Sequence, residues 1–430
     1  LVARLIRQPL KIKEKIMPTT AFILRSPEGG CNWGWLLNRQ FDFGEYSQKA
    51  NFFSRFSKLT WVQGSELSVS IKVGIIRTSS IGDVVLATAC LDFLRGVVPE
   101  ENTVWIGRKP TLGLLKLTYP NLRTIELASR ASPQDFAMAK AGLADCDVII
   151  DLQNSFLSRR LASSLRTGNR SVVTVKKLKF FRLRLVFEAM LRNRLMQLPS
   201  LRMTVPKYQY QMMLDAIKDA LRARGVAGST EKIRPSLRLP TEEGPENILW
   251  RDMNFGAWLA VAPGASHKPK RAPTVIFQDV LSYLPQLLSS NQVPIGLVYV
   301  GSSEDRQAAN QLIDNLQWNG PVLNLAGKLT LEQSAVVLSK SKILLSNDSG
   351  LTHIAEAVGV PVAVLFGPTI ESFGFAPWRA DSRAHSALIG CRPCSRHGKK
   401  PCRFGDQLCF HSIDTRDVAR HLAKNLGGEG

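Results

Sequence analysis

The residues best suited to chemistry lie in Asn347-Asp348-Ser349-Gly350-Leu351-Thr352-His353. They follow an apolar run, Ile343–Leu345, and lead into a helix expected over Leu351–Val358 that Gly359 stops; a second apolar strand, Val360–Phe366, closes at Gly367-Pro368. A strand that runs through a small-residue turn into a helix N-terminus offers an anion, above all a phosphate, free backbone N–H groups and a positive dipole end. His353, one turn into the helix, is placed to donate to that phosphate or to orient Asp348, although a lone histidine more often serves packing.

Three other turns repeat the pattern. Ser266, Lys268 and Lys270 follow Pro263-Gly264-Ala265 after an expected strand, Trp258–Ala262, and come within reach of a diphosphate. Gly301-Ser302-Ser303-Glu304 follows Ile295–Val300, and Glu304 there either receives ribose hydroxyls or caps a helix. Gly82-Asp83 ends the turn after Ile71–Ile76. Asp83 has two readings, a helix cap and a general base for an acceptor hydroxyl. The helix dipole stabilises the ionised carboxylate and makes it a weaker base, so the residues alone favour the cap.

Four of the seven cysteines, Cys391, Cys394, Cys402 and Cys409, cluster near the C-terminus. Their spacing allows a four-thiolate structural zinc site, with a buried thiol cluster or conditional disulfides as equal alternatives. The chain contains no Walker P-loop, and GxGxxG is absent, which weakens a nicotinamide-enzyme reading.

These turns need a scaffold of alternating strands and helices. Ile71–Ile76, Thr103–Ile106 and Val148–Leu152 are expected strands, with helices over Asp83–Val97, Leu112–Leu117 and Pro133–Gly142. After a helix at Tyr208–Gly225 and a linker at Val226–Gly244, a second set adds helices at Val275–Leu288, Glu304–Leu316 and Thr415–Leu426. Alternation at this spacing means parallel βαβ units. The expected architecture is α/β, with two Rossmann-like domains, 69–240 (linker included) and 241–385, and a Cys-rich segment with a terminal helix at 386–430.

The chain of 430 residues carries 56 Lys and Arg against 35 Asp and Glu, a formal charge of +21, so an anionic partner or surface is expected. The excess is densest over 158–207, where Arg159, Arg160, Arg182, Arg184 and Arg192 accompany Phe180, Phe181 and Phe187 and the only acid is Glu188. Such a segment suits lipid headgroups; RNA is the rival partner, but no RRM, KH or zinc-finger pattern supports it. No apolar run reaches the roughly 18 residues of a membrane span. Residues 1–68 are basic, aperiodic and expected to lack a packed core, with Met17 or Val69 as alternative starts of the functional protein. No export signal is evident, which favours a reducing compartment.

Seven motifs occur in order: RTSSIGDVVLAT (Arg77–Thr88), DLQNS (Asp151–Ser155), PGASHKPKRAP (Pro263–Pro273), VGSSED (Val300–Asp305), LAGKLTL (Leu325–Leu331), NDSGLTH (Asn347–His353) and FGPT (Phe366–Thr369). On these residues the chain resembles glycosyltransferase family 9, the ADP-heptose:lipopolysaccharide heptosyltransferases, and Cys391-Arg-Pro-Cys394 is similar to the tail of the heptosyltransferase II-like branch.

The resemblance implies a GT-B fold, two Rossmann-like domains facing across a cleft, and inverting transfer with no metal or other cofactor required. Asp83 matches the family's proposed base. Ser266, Lys270, Asp348, Ser349, Gly350, Leu351, Thr352 and His353 match donor-binding positions for ADP-heptose, and Ser303 or Glu304 stands in place of the family's ribose-binding acid. Ala272 stands where the family usually has Trp.

The implied acceptor is a lipid-linked core oligosaccharide at the cytoplasmic face of the inner membrane. Ser79, Ser80, Gly82, Arg159, Arg160, Arg182 and Arg184 are expected to face that acceptor or the anionic membrane, and no nucleic acid is expected. Two alternatives are a GT-B transferase for another nucleotide sugar and a non-catalytic lipid- or RNA-binding protein on the same scaffold.

Overall fold

The structure is a computed structural model. It describes residues 21–25, 31–35 and 71–427, apart from 129, 168–169, 177, 196–207, 229–230, 240–252, 254–255 and 289–293. Most of the expected N-terminal extension, the end of the basic segment and the end of the linker thus lie outside the described residues, as do the side chains of 192–195. Within the unit Leu1–Leu67, strands β1 (Ala21–Arg25) and β2 (Cys31–Trp35) pair antiparallel.

The unit Ser68–Gly430 contains two parallel sheets. The first is five-stranded, built from β3 (Val73–Ile76), β4 (Thr103–Gly107), β5 (Arg123–Glu126), β6 (Val148–Asp151) and β7 (Ser171–Thr174), in the order β5-β4-β3-β6-β7. The second is six-stranded, built from β8 (Ala257–Ala262), β9 (Ile295–Tyr299), β10 (Val322–Asn324), β11 (Ile343–Asn347), β12 (Val362–Phe366) and β13 (Arg383–Ser386). Its order is β10-β9-β8-β11-β12-β13. Both are doubly wound and reverse direction beside their first strand, between β3 and β6 and between β8 and β11. A crevice opens beyond the strand ends at such a switch point.

The strands form where the sequence is apolar on both faces. VGII, AWLAVA, ILLSN and VAVLF have almost no exposed position, as a sheet covered by helices on both sides requires. Edge strands β7 and β13 escaped the sequence reading because SVVT and RAHS are only partly buried and carry no apolar run.

Two expected helices are divided. Asp83–Val97 is split at Ala87 into helices Ile81–Leu86 and Thr88–Arg95, where the Thr88 hydroxyl donates to the Val85 carbonyl at 2.7 Å and competes with the backbone ladder. Glu304–Leu316 starts as a 3₁₀ turn, Ser303–Asp305, before helix Arg306–Asp314.

Two segments tie the sheets' layers together. In the linker, Ser236 donates to Asp92 Oδ2 at 2.6 Å on the first side, and the N–H of Leu237 donates to the Ala357 carbonyl at 2.8 Å on the second. Helix Lys179–Leu195 packs Leu185 and Val186 against Phe373, with Phe181, Ile370 and Phe375 alongside.

Candidate active site

The loops at the two switch points meet. In the first, Arg77 is buried at the end of β3 and its Nη2 lies 2.6 Å from Asp83 Oδ2. Ser80 donates to the same oxygen from its N–H (3.2 Å) and its hydroxyl (2.9 Å). Burial pushes the Asp83 carboxyl up, but the Arg77 guanidinium and the Ser80 donors outweigh it and hold Asp83 below the usual range. Ser80 is the N-cap residue of helix Ile81–Leu86 and Asp83, at its third position, closes the capping box, so the candidate base also holds the helix start. Gln153 braces the loop, accepting from the N–H groups of Thr78 and Ser79 at 3.1 Å each and donating to the Ser79 hydroxyl at 3.0 Å.

In the second sheet, Asp348 follows β11. Lys270 Nζ lies 2.6 Å from its Oδ2, and the Thr369 hydroxyl donates to that oxygen at 2.8 Å. Burial again raises the carboxyl and Lys270 with Thr369 lowers it, leaving Asp348 below its ordinary value. Buried Asn347 joins the turns, donating to the Pro263 carbonyl (2.7 Å) and accepting from the Ala272 N–H (3.1 Å).

Gly82 and Gly350 set how closely these loops approach. A Cβ at Gly82 would lie 2.5 Å from His353 Cδ2, and one at Gly350 would lie 3.1 Å from Ile81 Cβ. The starts of helices Ile81–Leu86 and Gly350–Ala357 abut there, the two glycines lying against the His353 and Ile81 side chains.

Two adjoining cavities result. One, of about 490 Å³, is lined by Ser266, Arg271, Glu304, Ser349, Gly350 and Leu351 among others. The other, of about 480 Å³, is lined by Ser79, Ser80, Gly82 and Asp83 on one side and Ser266, Lys270, Asp348, Ser349, Gly350 and His353 on the other. Ser266, Ser349 and Gly350 border both, and Ser349 Oγ is buried with no hydrogen-bond partner among the described residues.

Arg271 spans the first cavity, donating to the Ala265 carbonyl (2.8 Å) and pairing with Glu304 (3.1 Å). Both acids of that turn border the cavity: Asp305 Oδ2 accepts from the N–H and hydroxyl of Ser302 at 2.8 Å each and its Oδ1 lies 3.6 Å from Arg271, whereas Glu304 is the more exposed of the two.

Several expected positions behave differently. Thr352 lines neither cavity: its hydroxyl turns back to the Asn347 carbonyl (3.0 Å) and Ser346 Oγ (2.9 Å), which holds the end of β11. His353 is a neutral wedge, because burial outweighs Asp348 and Asp83 and lowers it to about 4. Its ring stacks on Trp378 at 5.8 Å between centroids.

Arg182, expected to face a membrane beside Arg184, points inward. It donates to the Phe373 carbonyl (2.7 Å) and Gln209 Oε1 (2.9 Å), with its guanidinium over the Phe373 and Phe375 rings. Arg184 stays outside, bonded to Glu188. Arg159 is exposed against the Ser155 carbonyl, and Arg160 lies over the Phe136 ring.

The four cysteines whose spacing allows a zinc site come together. Cys391, Cys394, Cys402 and Cys409 line one cavity as free thiols. Among the described residues, however, no three His, Cys, Asp or Glu side chains are arranged around a common point for a metal ion.

The sequence reading missed Arg77 and Gln153, which sit inside quoted motifs but looked like turn residues. It also missed Phe373, Phe375, Arg396 and Lys399, which share no motif with the cleft they line.

Behind His353, Glu356 holds the Trp378 loop. It is buried, and its Oε1 accepts the N–H groups of Trp378 (2.9 Å) and Arg379 (3.0 Å). Burial raises its carboxyl to about 7 against those donors. The folded state holds this proton more tightly than the unfolded state, so the associated stability is full below the ordinary glutamate range and declines as pH rises through about 7. Glu356→Gln is expected to flatten that decline and to stabilise the protein above pH 7 by on the order of 1–3 kcal/mol. Thermal unfolding across a pH series checks this; parallel curves for variant and wild type would refute it.

The sequence model of "Glycosyltransferase family 9 (heptosyltransferase)" matches residues 138–405. Lipopolysaccharide heptosyltransferase 2 of Salmonella typhimurium is 29% identical over 142 residues, which is 32% of this chain and 39% of that relative's length. The structure of E. coli ADP-heptose LPS heptosyltransferase II aligns with a TM-score of 0.59 at 19% identity, covering 83% of this chain and 98% of that one. The family 9 glycosyl transferase structure from Veillonella parvula aligns at 0.61 and 16% identity, covering 84% and 99%. The shared fold is GT-B, two doubly wound domains with a cleft between them. By the extent of the sequence match and this architecture, the chain belongs to glycosyltransferase family 9, the heptosyltransferase family.

Proposed function

We propose that this protein transfers a heptose, with inversion, from ADP-heptose to the inner core of a lipopolysaccharide acceptor. The observation that carries the reading is that Asp83 and the Lys270–Asp348 pair line one cavity from opposite domains. The nucleotide occupies the cavity bounded by Arg271, Glu304 and Leu351, with Glu304 on the ribose hydroxyls. The diphosphate lies at Ser266, Lys270 and the Ser349–Gly350 helix start.

Asp83 accepts the proton of the acceptor hydroxyl as that oxygen attacks the anomeric carbon, and ADP leaves from the opposite face. A carboxylate held this acidic is a weak base, so the proton moves late, once bond formation has acidified the hydroxyl. Lys270 and the backbone N–H groups stabilise the charge growing on ADP, and we propose that no metal takes part. The test is an ADP-release assay with a panel of nucleotide sugars and a core oligosaccharide lacking its heptose. Selective turnover of ADP-heptose supports the reading, and turnover with a different nucleotide sugar overturns the donor assignment.

The names of the relatives support a lipopolysaccharide acceptor, and we place the reaction at the cytoplasmic face of the inner membrane. Helix Lys179–Leu195 is the proposed contact. Its inner face packs on Phe373, whereas Phe180 is 87% and Phe187 58% exposed, with Leu183, Met190 and Leu191 also outward. Apolar side chains beside Lys179 and Arg184 suit an interface of anionic lipid. No helix among the described residues is long and apolar enough to cross a membrane. Phe180→Glu with Phe187→Glu is expected to weaken co-sedimentation with phosphatidylglycerol vesicles at least about tenfold; unchanged sedimentation would remove this contact.

A further inference from the structure

The Cys-rich segment reaches back over the catalytic cleft. Arg392, buried, anchors it by donating to the carbonyls of Ala387 and Thr369 at 2.7 Å each. The Cys394 N–H donates to the Pro368 carbonyl at 3.0 Å, and Gln407 donates to the Pro269 carbonyl at 3.0 Å. The segment is thus fastened both to the FGPT turn and to the turn that carries Lys270. Between these anchors Gly398, at a φ of +65°, lies so close that a Cβ there would be 2.6 Å from Lys270 Cγ and 3.1 Å from Thr369 Cγ2. A left-handed backbone and this contact both call for glycine. Arg396 and Lys399, on either side of it, line the same cavity as Asp83.

The charge in that cavity is unbalanced. Its acids, Asp83 and Asp348, are already paired with Arg77 and Lys270 at 2.6 Å each. Among the described residues neither Arg396 nor Lys399 forms an ion pair, and residues 391–405 contain no acid. The surplus acts on its neighbours: burial first, then Lys399 and Lys270, lower the His267 imidazole. Burial and the positive charge of Arg396 likewise outweigh Asp83 in lowering Arg182. Cations held together without counter-charge mark a place for an anion.

We infer that Arg396 and Lys399 form a subsite for a phosphate or carboxylate group on the acceptor sugar. This rests on the transferase reading above. Both residues border the cavity that holds Asp83 and Gln153 together with Lys270, and neither borders the one at Ser302 and Glu304; the donor diphosphate already has Lys270 and the Ser349–Gly350 helix start, so the acceptor is the anion left for this pair. The Cys-rich segment then acts as an arm of the second domain that reads acceptor charge where sugar transfer takes place.

The experiment compares wild type with an Arg396→Gln/Lys399→Gln variant. Inorganic phosphate is titrated calorimetrically into each protein saturated with ADP, and ADP into each alone. Phosphate binding is expected to weaken by about tenfold or more, the scale of one lost charge-assisted hydrogen bond, with ADP affinity retained. In transfer assays the acceptor KM is expected to rise by a similar factor, and the two proteins should converge on an acceptor stripped of its anionic groups. The charge-keeping swap Arg396→Lys/Lys399→Arg should recover most of the phosphate affinity.

Weakened ADP binding would overturn the inference by assigning the cations to the donor diphosphate. Unchanged phosphate binding, or no recovery in the swap, would overturn it by leaving a solvated loop. The phosphate titration needs no turnover, so it decides the subsite even where ADP-heptose transfer fails.

Discussion

Asp83→Asn is expected to lower kcat by on the order of 10²–10⁴ while ADP still binds, because the amide cannot take the acceptor proton. The structure adds a second consequence. Arg77 is 4% exposed and its Nη2 lies 2.6 Å from Asp83, so Asn leaves a buried guanidinium without its counter-charge. A stability loss of about 1–3 kcal/mol should accompany the catalytic loss. The two effects separate by measurement: kcat should stay depressed at temperatures where the variant is fully folded and binds ADP normally. Turnover within a few-fold of wild type would end Asp83's role as base.

The pH dependence follows from the same contacts. Asp83 lies below its ordinary value, so it is ionised throughout the neutral range. The acid limb of kcat/KM that it controls should lie below the ordinary aspartate range. The stability contributed by its ion pair is present above the unfolded-state value and is lost as pH falls through the folded one.

Lys270→Ala is expected to have an effect of similar size with a different signature. It removes the cation proposed for the leaving diphosphate, a loss of roughly 10²–10³ in kcat, and weakens ADP affinity about tenfold or more. Among the described residues Asp348 then keeps only Thr369 as a side-chain donor, so its carboxyl should lose acidity and the variant should be less stable at neutral pH. Lys270→Arg is not expected to rescue, since Gly398 packs directly on the lysine stem and leaves little room for a broader guanidinium. Measuring ADP affinity and kcat for both variants checks this, and full activity in the Arg form would show that charge alone suffices.

Much of this molecule was legible in its sequence because local physics dictates it. Apolar runs such as Ile343–Leu345 and Val360–Phe366 suit a sheet covered on both faces, and strands form at both. The turns after them, with Gly, Ser and Asp at helix starts, place candidate phosphate sites at known positions along the chain. The seven ordered motifs carried the family likeness and, with it, Asp83, Lys270 and Asp348. What escaped was short or polar: edge strands β7 and β13, and a helix break at Ala87 beside the Thr88 hydroxyl.

Only the tertiary structure decided how those residues are used. No spacing rule connects Arg77 to Asp83 as an ion pair, because that depends on how a loop folds back on its strand. Arg182 illustrates the limit: its place in a basic run suggested a membrane, yet a helix has two sides, and the side packed on Phe373 carries Arg182 inward. The contact of Gly82 with His353, 271 positions later in the chain, and the reach of Arg396 and Lys399 over Lys270 are likewise meetings between distant segments. Sequence determined which groups are available at each strand end. Packing of the two domains determined which of them share one desolvated cavity, where charges interact strongly enough to set one another's protonation.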